Sequence, residues 1–369
     1  MSEITLLSVG DVILGPSPVD LFEHVNPVLQ AADITMGQLE VPYTDRDTIP
    51  ITIDRSIKHL DGLISAGFDI VTFAGNHISD AGVNGIQDTI DWLEDHNIAY
   101  TGGGMNLEHA VRPAILEKQG TQIGFLDYNC VGPREMWATH NQPGCAYVHI
   151  ITHYELDYAT PGGPPTIYTW AVPDSLKAMQ KNIDDLKQSC DLVVVSLHKG
   201  LGHTPVKLAD YEQQISYAAI DAGADLVVSH HAHILHGIET YKGKVIFHGL
   251  GNFGTYLPFL APKEDDRPDS WASRRRELFG FEPDPEYPTY PFHPEAIYTM
   301  IAKCVIEEGE IKQVSYIPSI VNKQAQPEIV TQSDRGQEVY DYVEAITKGA
   351  NLNAQYSWQG DEIIIKVVN

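Results

Sequence analysis

Basic residues are scarce: the 369-residue chain carries 24 Lys and Arg against 50 Asp and Glu, a net charge of −26. Phosphate backbones need a basic face, so nucleic acid is not an expected partner. Long apolar runs are missing as well. None approaches the ~20 residues that cross a bilayer, so no membrane span is expected. The opening Met1-Ser2-Glu3-Ile4 lacks the cationic start of a secretion signal, which makes the cytoplasm the expected location. Cysteine is sparse too: Cys130, Cys145, Cys190 and Cys304 form no CxxC pair and read as reduced, structural thiols. What the chain does have is 43% hydrophobic residues, enough for a core and too many for disorder. Its length suits one large domain or two smaller ones.

Short β-branched runs alternate with amphipathic segments, a rhythm that predicts βαβ units and a layered α/β fold. Strands are expected at 4–9, 34–39, 70–74, 122–129, 192–197 and 226–229. Helical segments are expected at 19–32, 60–66, 86–96, 174–189 and 208–222. Residues 297–306 and 311–317 flank Glu308-Gly309-Glu310 and predict a β-hairpin. A helix near 336–348 and a strand at 363–368 follow. Two segments break the rhythm, 131–166 and 254–294, rich in Pro and aromatics; insertions this long are expected to shape a functional cleft.

Unusual polar residues fall at the predicted strand ends: Gly10-Asp11, Glu40, Gly75-Asn76-His77, His198 and His230-His231-Ala232-His233. In open α/β sheets ligands bind beyond the carboxyl ends of strands, so these ends can converge on one site. Each residue alone reads as a helix cap, a turn or a core histidine. Together they form a mixed oxygen and nitrogen set suited to one or two divalent ions, Mn²⁺, Fe²⁺, Zn²⁺ or Mg²⁺.

These residues resemble the CapA family, named for poly-γ-glutamate capsule synthesis, over roughly residues 3 to 253. The resemblance rests on Gly10-Asp11, Gln38-Leu39-Glu40-Val41-Pro42 and Gly75-Asn76-His77-Ile78-Ser79-Asp80-Ala81-Gly82. It continues through Leu197-His198-Lys199-Gly200, Ser229-His230-His231-Ala232-His233 and Gly249-Leu250-Gly251-Asn252-Phe253. It implies a single domain over 1–369 with a metallophosphoesterase-like layered α/β sandwich, the two long insertions set upon it. It also implies Asp11, Glu40, Asn76, His198, His231 and His233 as metal ligands, Glu40 bridging, with His77 stabilising charge or donating a proton. Asp11-Val12-Ile13 stands where metallophosphoesterases have D-x-H, so one usual His ligand is missing. The segment Tyr287-Pro288-Thr289-Tyr290-Pro291-Phe292-His293-Pro294-Glu295-Ala296 resembles a subgroup of CapA-like proteins; one branch contains enzymes that epimerise the C-terminal residue of a ribosomal peptide.

The expected function is metal-dependent hydrolysis of an amide, peptide or γ-glutamyl, or phosphoester bond through an activated water. The first alternative is epimerisation at Cα of a peptide residue, with Asp11 and His293 as the acid/base pair. The second is a non-catalytic module that binds a peptide or polyglutamate. Arg274, Arg275 and Arg276 are candidate carboxylate ligands for such an acidic chain. Aromatics of the insertions, among them Trp137, Tyr147, Tyr154, Trp170, Trp271 and Phe292, are candidate cleft walls where they neighbour His149, His153 or His293.

Overall fold

The computed structural model describes residues 3–46, 55–156, 158–159, 162–261 and 271–367, with the backbone alone for 271–273. The Trp271 side chain, Val368 and the centre of the second insertion, 262–270, lie outside the described residues.

Ten strands form one sheet, eight of them in the order 355–359, 362–366, 310–321, 298–307, 4–13, 34–39, 70–72, 99–101. The strand Asn252–Thr255 joins the end of Ile4–Ile13 in parallel, and Pro327–Ile329 pairs with Glu310–Val321. Six strands form a second sheet in the order 238–241, 244–247, 226–231, 192–199, 121–129, 114–118.

Side-chain alternation stacks the two sheets. Leu6, Met36, Phe125, Val194 and Val228 share a core between them. Leu7 and Val9 face the other way, onto the helices Asp61–Ala66 and Gly82–Asp95 through Leu63, Ile86, Ile90 and Leu93. Val193, Val195 and Val227 face the helices Pro173–Lys187 and Asp210–Asp221 through Met179, Ile183, Ile215 and Ala219. The result is a four-layer α/β sandwich, helix, sheet, sheet, helix.

The expected helix at 19–32 shrinks to Asn26–Leu29, with Pro27 in its first turn. Ahead of it, Asp20 accepts from the Phe22 N–H, a side-chain bond that competes with helix. The hairpin at 298–321 forms as expected, with Glu308 and Gly309 both at positive φ, 52° and 73°. Cys130, Cys145, Cys190 and Cys304 are all buried and free.

The first insertion packs as the stacked pair Trp137 and Tyr147, then as an exposed hairpin, Ile150–Glu155 with Thr166–Ala171, laid beside the helix Asp210–Asp221. The second insertion returns to the carboxyl ends of the parallel strands, where Leu257, Phe259, Leu260, Phe279 and Phe292 wall a cavity of about 470 Å³.

Candidate metal centre

Three strands of the first sheet and two of the second deliver their polar residues to one place. The strand Ile4–Ile13 runs past the expected end at Val9, and a register shift between Val9 and Asp11 re-aims it. Asp11 is fully buried; its backbone N–H donates to Gly251 O, and its Oδ2 accepts from the His231 N–H at 3.1 Å. Such a close approach demands glycine at position 10, because a Cβ there would lie 2.2 Å from Gly251 O. Glu40 follows the second strand, and Asn76 and His77 follow the third. Gly75 is similarly required, since a Cβ would stand 2.8 Å from Glu40 O.

His198 and His231 lie within the strands Leu192–Lys199 and Leu226–His231 rather than after them. Both point a ring nitrogen at Asn76 Oδ1, His198 Nε2 at 2.8 Å and His231 Nδ1 at 3.1 Å. His198 Nε2 is also 3.5 Å from Glu40 Oε2. One ligand atom each from Glu40, His198 and His231 lies within 4.8 Å of the others. His233 Nδ1 donates to Asn252 Oδ1 at 2.8 Å and stands 3.5 Å from Asp11 Oδ2. Its neighbour His230 turns inward, bonding Ser196 Oγ at 3.3 Å and Val9 O at 3.1 Å, and so ties the two sheets together.

The electrostatics of this cluster are those of a site built for a cation. Glu40 is fully buried, and as a carboxylate neither of its oxygens meets a hydrogen-bond donor among the described residues; Asp11 Oδ1 and His198 Nδ1 are likewise without a partner there. Orphaned acceptors of this kind are costly without a ligand. Burial first, and then the mutual repulsion of neighbouring carboxylates, push Glu40 well above the usual range, and Asp11 is raised by burial as well. Burial lowers His231 to about 3 and His233 to about 4, which keeps their imidazoles neutral and able to ligate. The backbone is held in the left-handed region at both, with φ of 88° and 55°, a conformation that costs on the order of 1–3 kcal/mol per non-glycine residue. The donor set therefore fits a divalent transition metal.

His77 lines the cavity with Nδ1 2.8 Å from Asp80 Oδ2. The other expected residues lie elsewhere. His293 caps a short turn, its Nδ1 accepting from the Glu295 N–H, with its ring against Phe281 and outside the cavity lining. Arg275 is buried and donates to Pro291 O and Leu260 O, Arg274 pairs with Glu277, and Arg276 pairs with Glu282. His149 meets Arg134 and Trp137, and His153 sits on the exposed hairpin near Trp170.

Three residues at the site carry no expectation from the sequence. Asn252 accepts from His233 and donates to Tyr290; the Gly-Leu-Gly-Asn-Phe motif was the signal for it. His203, at φ 57°, stacks on His233 with ring centres 5.7 Å apart. Arg55 reaches the cavity wall from outside every motif.

The chain matches the family described as Bacterial capsule synthesis protein PGA_cap over residues 5–256. It is 27% identical over 268 residues to the capsule biosynthesis protein CapA of Bacillus anthracis, covering 68% of this chain and 59% of that one. Against the PGA biosynthesis protein CapA of Bacillus subtilis it is 28% identical over 263 residues, covering 66% and 61%. The chain thus spans about three fifths of the length of these curated relatives. A calcineurin-like phosphoesterase of Bacillus subtilis, YfkN, overlaps 94% of this chain and 97% of its own at 12% identity, with a TM-score of 0.42. The chain belongs to the PGA_cap family.

Proposed function

We propose that this family member is a metal-dependent hydrolase-like enzyme acting on an amide, peptide or γ-glutamyl, or phosphoester bond. The observation that carries the reading is Glu40: a fully buried carboxylate, both oxygens without a donor among the described residues, beside two neutral imidazoles that share one focus. Glu40, His198 and His231 would hold the ion, with Asn76, Asp11 and His233 as further ligands. A divalent cation there supplies Lewis-acid polarisation of a carbonyl or phosphoryl oxygen and a water that ionises near neutral pH. The chain's own residues do the rest. Asp80 accepts the Nδ1–H of His77, which leaves Nε2 as the atom that takes a proton from the attacking water and then passes it to the leaving group. Leu257, Phe259 and Leu260 give the cavity an apolar wall, and a low-dielectric wall strengthens the charge interactions beside it. The names of the two CapA relatives, capsule and PGA biosynthesis proteins, favour a glutamyl substrate.

Proton exchange at Cα is the second reading, supported by Asp11, a fully buried carboxyl whose Oδ1 has no hydrogen-bond partner among the described residues. One experiment separates the two. The protein, loaded with Mn²⁺ or Zn²⁺, is incubated in D₂O with a γ-glutamyl anilide, a phosphodiester and a peptide panel. Metal-dependent cleavage supports hydrolysis; intact peptide carrying deuterium at an inverted Cα supports epimerisation; unchanged substrates throughout would contradict both.

A further inference from the structure

Arg55 is the one Arg or Lys side chain among the described residues lining the cavity. It is 7% exposed, and its Nη2 donates to Asp80 Oδ2 at 3.1 Å. Its Nε and Nη1 are buried with no hydrogen-bond partner among the described residues. A guanidinium placed only to balance the site's carboxylates would bond to Glu40 as well as to Asp80. Glu40 feels the charge of Arg55 yet makes no hydrogen bond to it. Open donors on a buried cation are as costly as open acceptors, and an anion relieves them.

The surroundings say which anion. Ile13, Val41, Leu257, Phe259 and Leu260 line the same cavity, so the charged group must be small and attached to an apolar body. A planar, singly charged carboxylate matches a guanidinium fork and brings less charge to desolvate than a phosphate dianion.

We propose that Arg55 binds the carboxylate of a substrate whose apolar part lies along Leu257, Phe259 and Leu260. This rests on the cavity being the substrate site of the reading above. It also moves carboxylate recognition away from Arg274, Arg275 and Arg276, which are engaged with Glu277, backbone carbonyls and Glu282.

The test is calorimetric titration of hexanoate, hexanamide and inorganic phosphate into the chelator-stripped wild-type chain, R55Q and R55K. Hexanoate is expected to bind the wild type about tenfold or more tightly than hexanamide, a preference that falls below about threefold in R55Q and is partly kept in R55K. Undetectable hexanoate binding, equal binding of acid and amide, or an undiminished preference in R55Q would overturn the assignment. Phosphate binding more tightly than hexanoate would overturn the carboxylate class. Should R55Q fail to fold, ¹⁵N-arginine spectra of the wild type decide: the Nε–H signal absent from R55K moves with hexanoate and not with hexanamide, and a stationary signal refutes the proposal. Because the titrations use metal-free protein, they stand or fall apart from the metal centre; E40Q that loses metal yet keeps the hexanoate preference separates the two.

Discussion

At Gly10 the chain has no room for even a methyl group, because the Gly251 carbonyl occupies its place. Gly10→Ala must push the strand Ile4–Ile13 away from the 250–252 turn and carry Asp11 with it. The expected cost is about 1–3 kcal/mol in urea denaturation, with metal affinity reduced beside it. His248 makes a different residue-level prediction. It is buried between Lys199 Nζ at 3.0 Å and Glu239 Oε2 at 2.9 Å, and Glu212 bonds the same lysine at 3.1 Å. Burial, then Lys199, lower its pKa from 6.5 to about 4 against the pull of Glu239 and Glu212. Between those values the unfolded chain holds a proton that the folded chain lacks. The stability is therefore present above pH 6.5 and lost as pH falls through about 4. Between about pH 7.5 and about pH 5 His248 alone should account for about 2 kcal/mol of the loss, read as the difference in stability change between the wild type and His248→Gln over that range.

Among the elements, the second insertion depends on Arg275, which is buried and donates to the carbonyls of Pro291 and Leu260. Arg275→Met leaves both unpaired and should cost about 2–4 kcal/mol, with proteolytic nicking between 255 and 294 as the readout. Arg274→Gln and Arg276→Gln should leave the melting temperature nearly unchanged, since their partners are surface glutamates. Periodicity makes strand 34–39 legible to the residue, yet it stops short at Val9, Leu197 and Ser229. The true strands continue to Ile13, Lys199 and His231. Polar residues there read as strand ends because a pattern of hydrophobicity cannot distinguish a loop from a strand whose ligands point into a buried site. Two further hairpin turns, Gln119-Gly120 and Lys242-Gly243, adopt positive φ at both residues like Glu308-Gly309. Their first residues are not the Asn or Asp that advertise such turns, so only packing reveals them. Arg55 and His203 were hidden for a related reason: each enters the site from a loop, where no spacing rule applies.

On the scale of the whole molecule, the four layers exist to bring two sheets' carboxyl edges together. Asp11, Glu40 and Asn76 come from one sheet, His198, His231 and His233 from the other, and His230 bonded to Val9 O fixes their relation. A metal that bridges the sheets should therefore stabilise the entire fold. At a hundredfold excess over Kd the gain is about 2.7 kcal/mol, visible as a rise in melting temperature with added Mn²⁺ or Zn²⁺. The measurement that bears most directly on this account is metal content per chain, by plasma mass spectrometry, on protein purified without chelator and reconstituted with each divalent ion. The wild type should retain at least one ion per chain, and Glu40→Gln and His231→Ala should lose it while keeping a cooperative unfolding transition. No retained ion in the wild type, or equal content in Glu40→Gln, would contradict the metal centre.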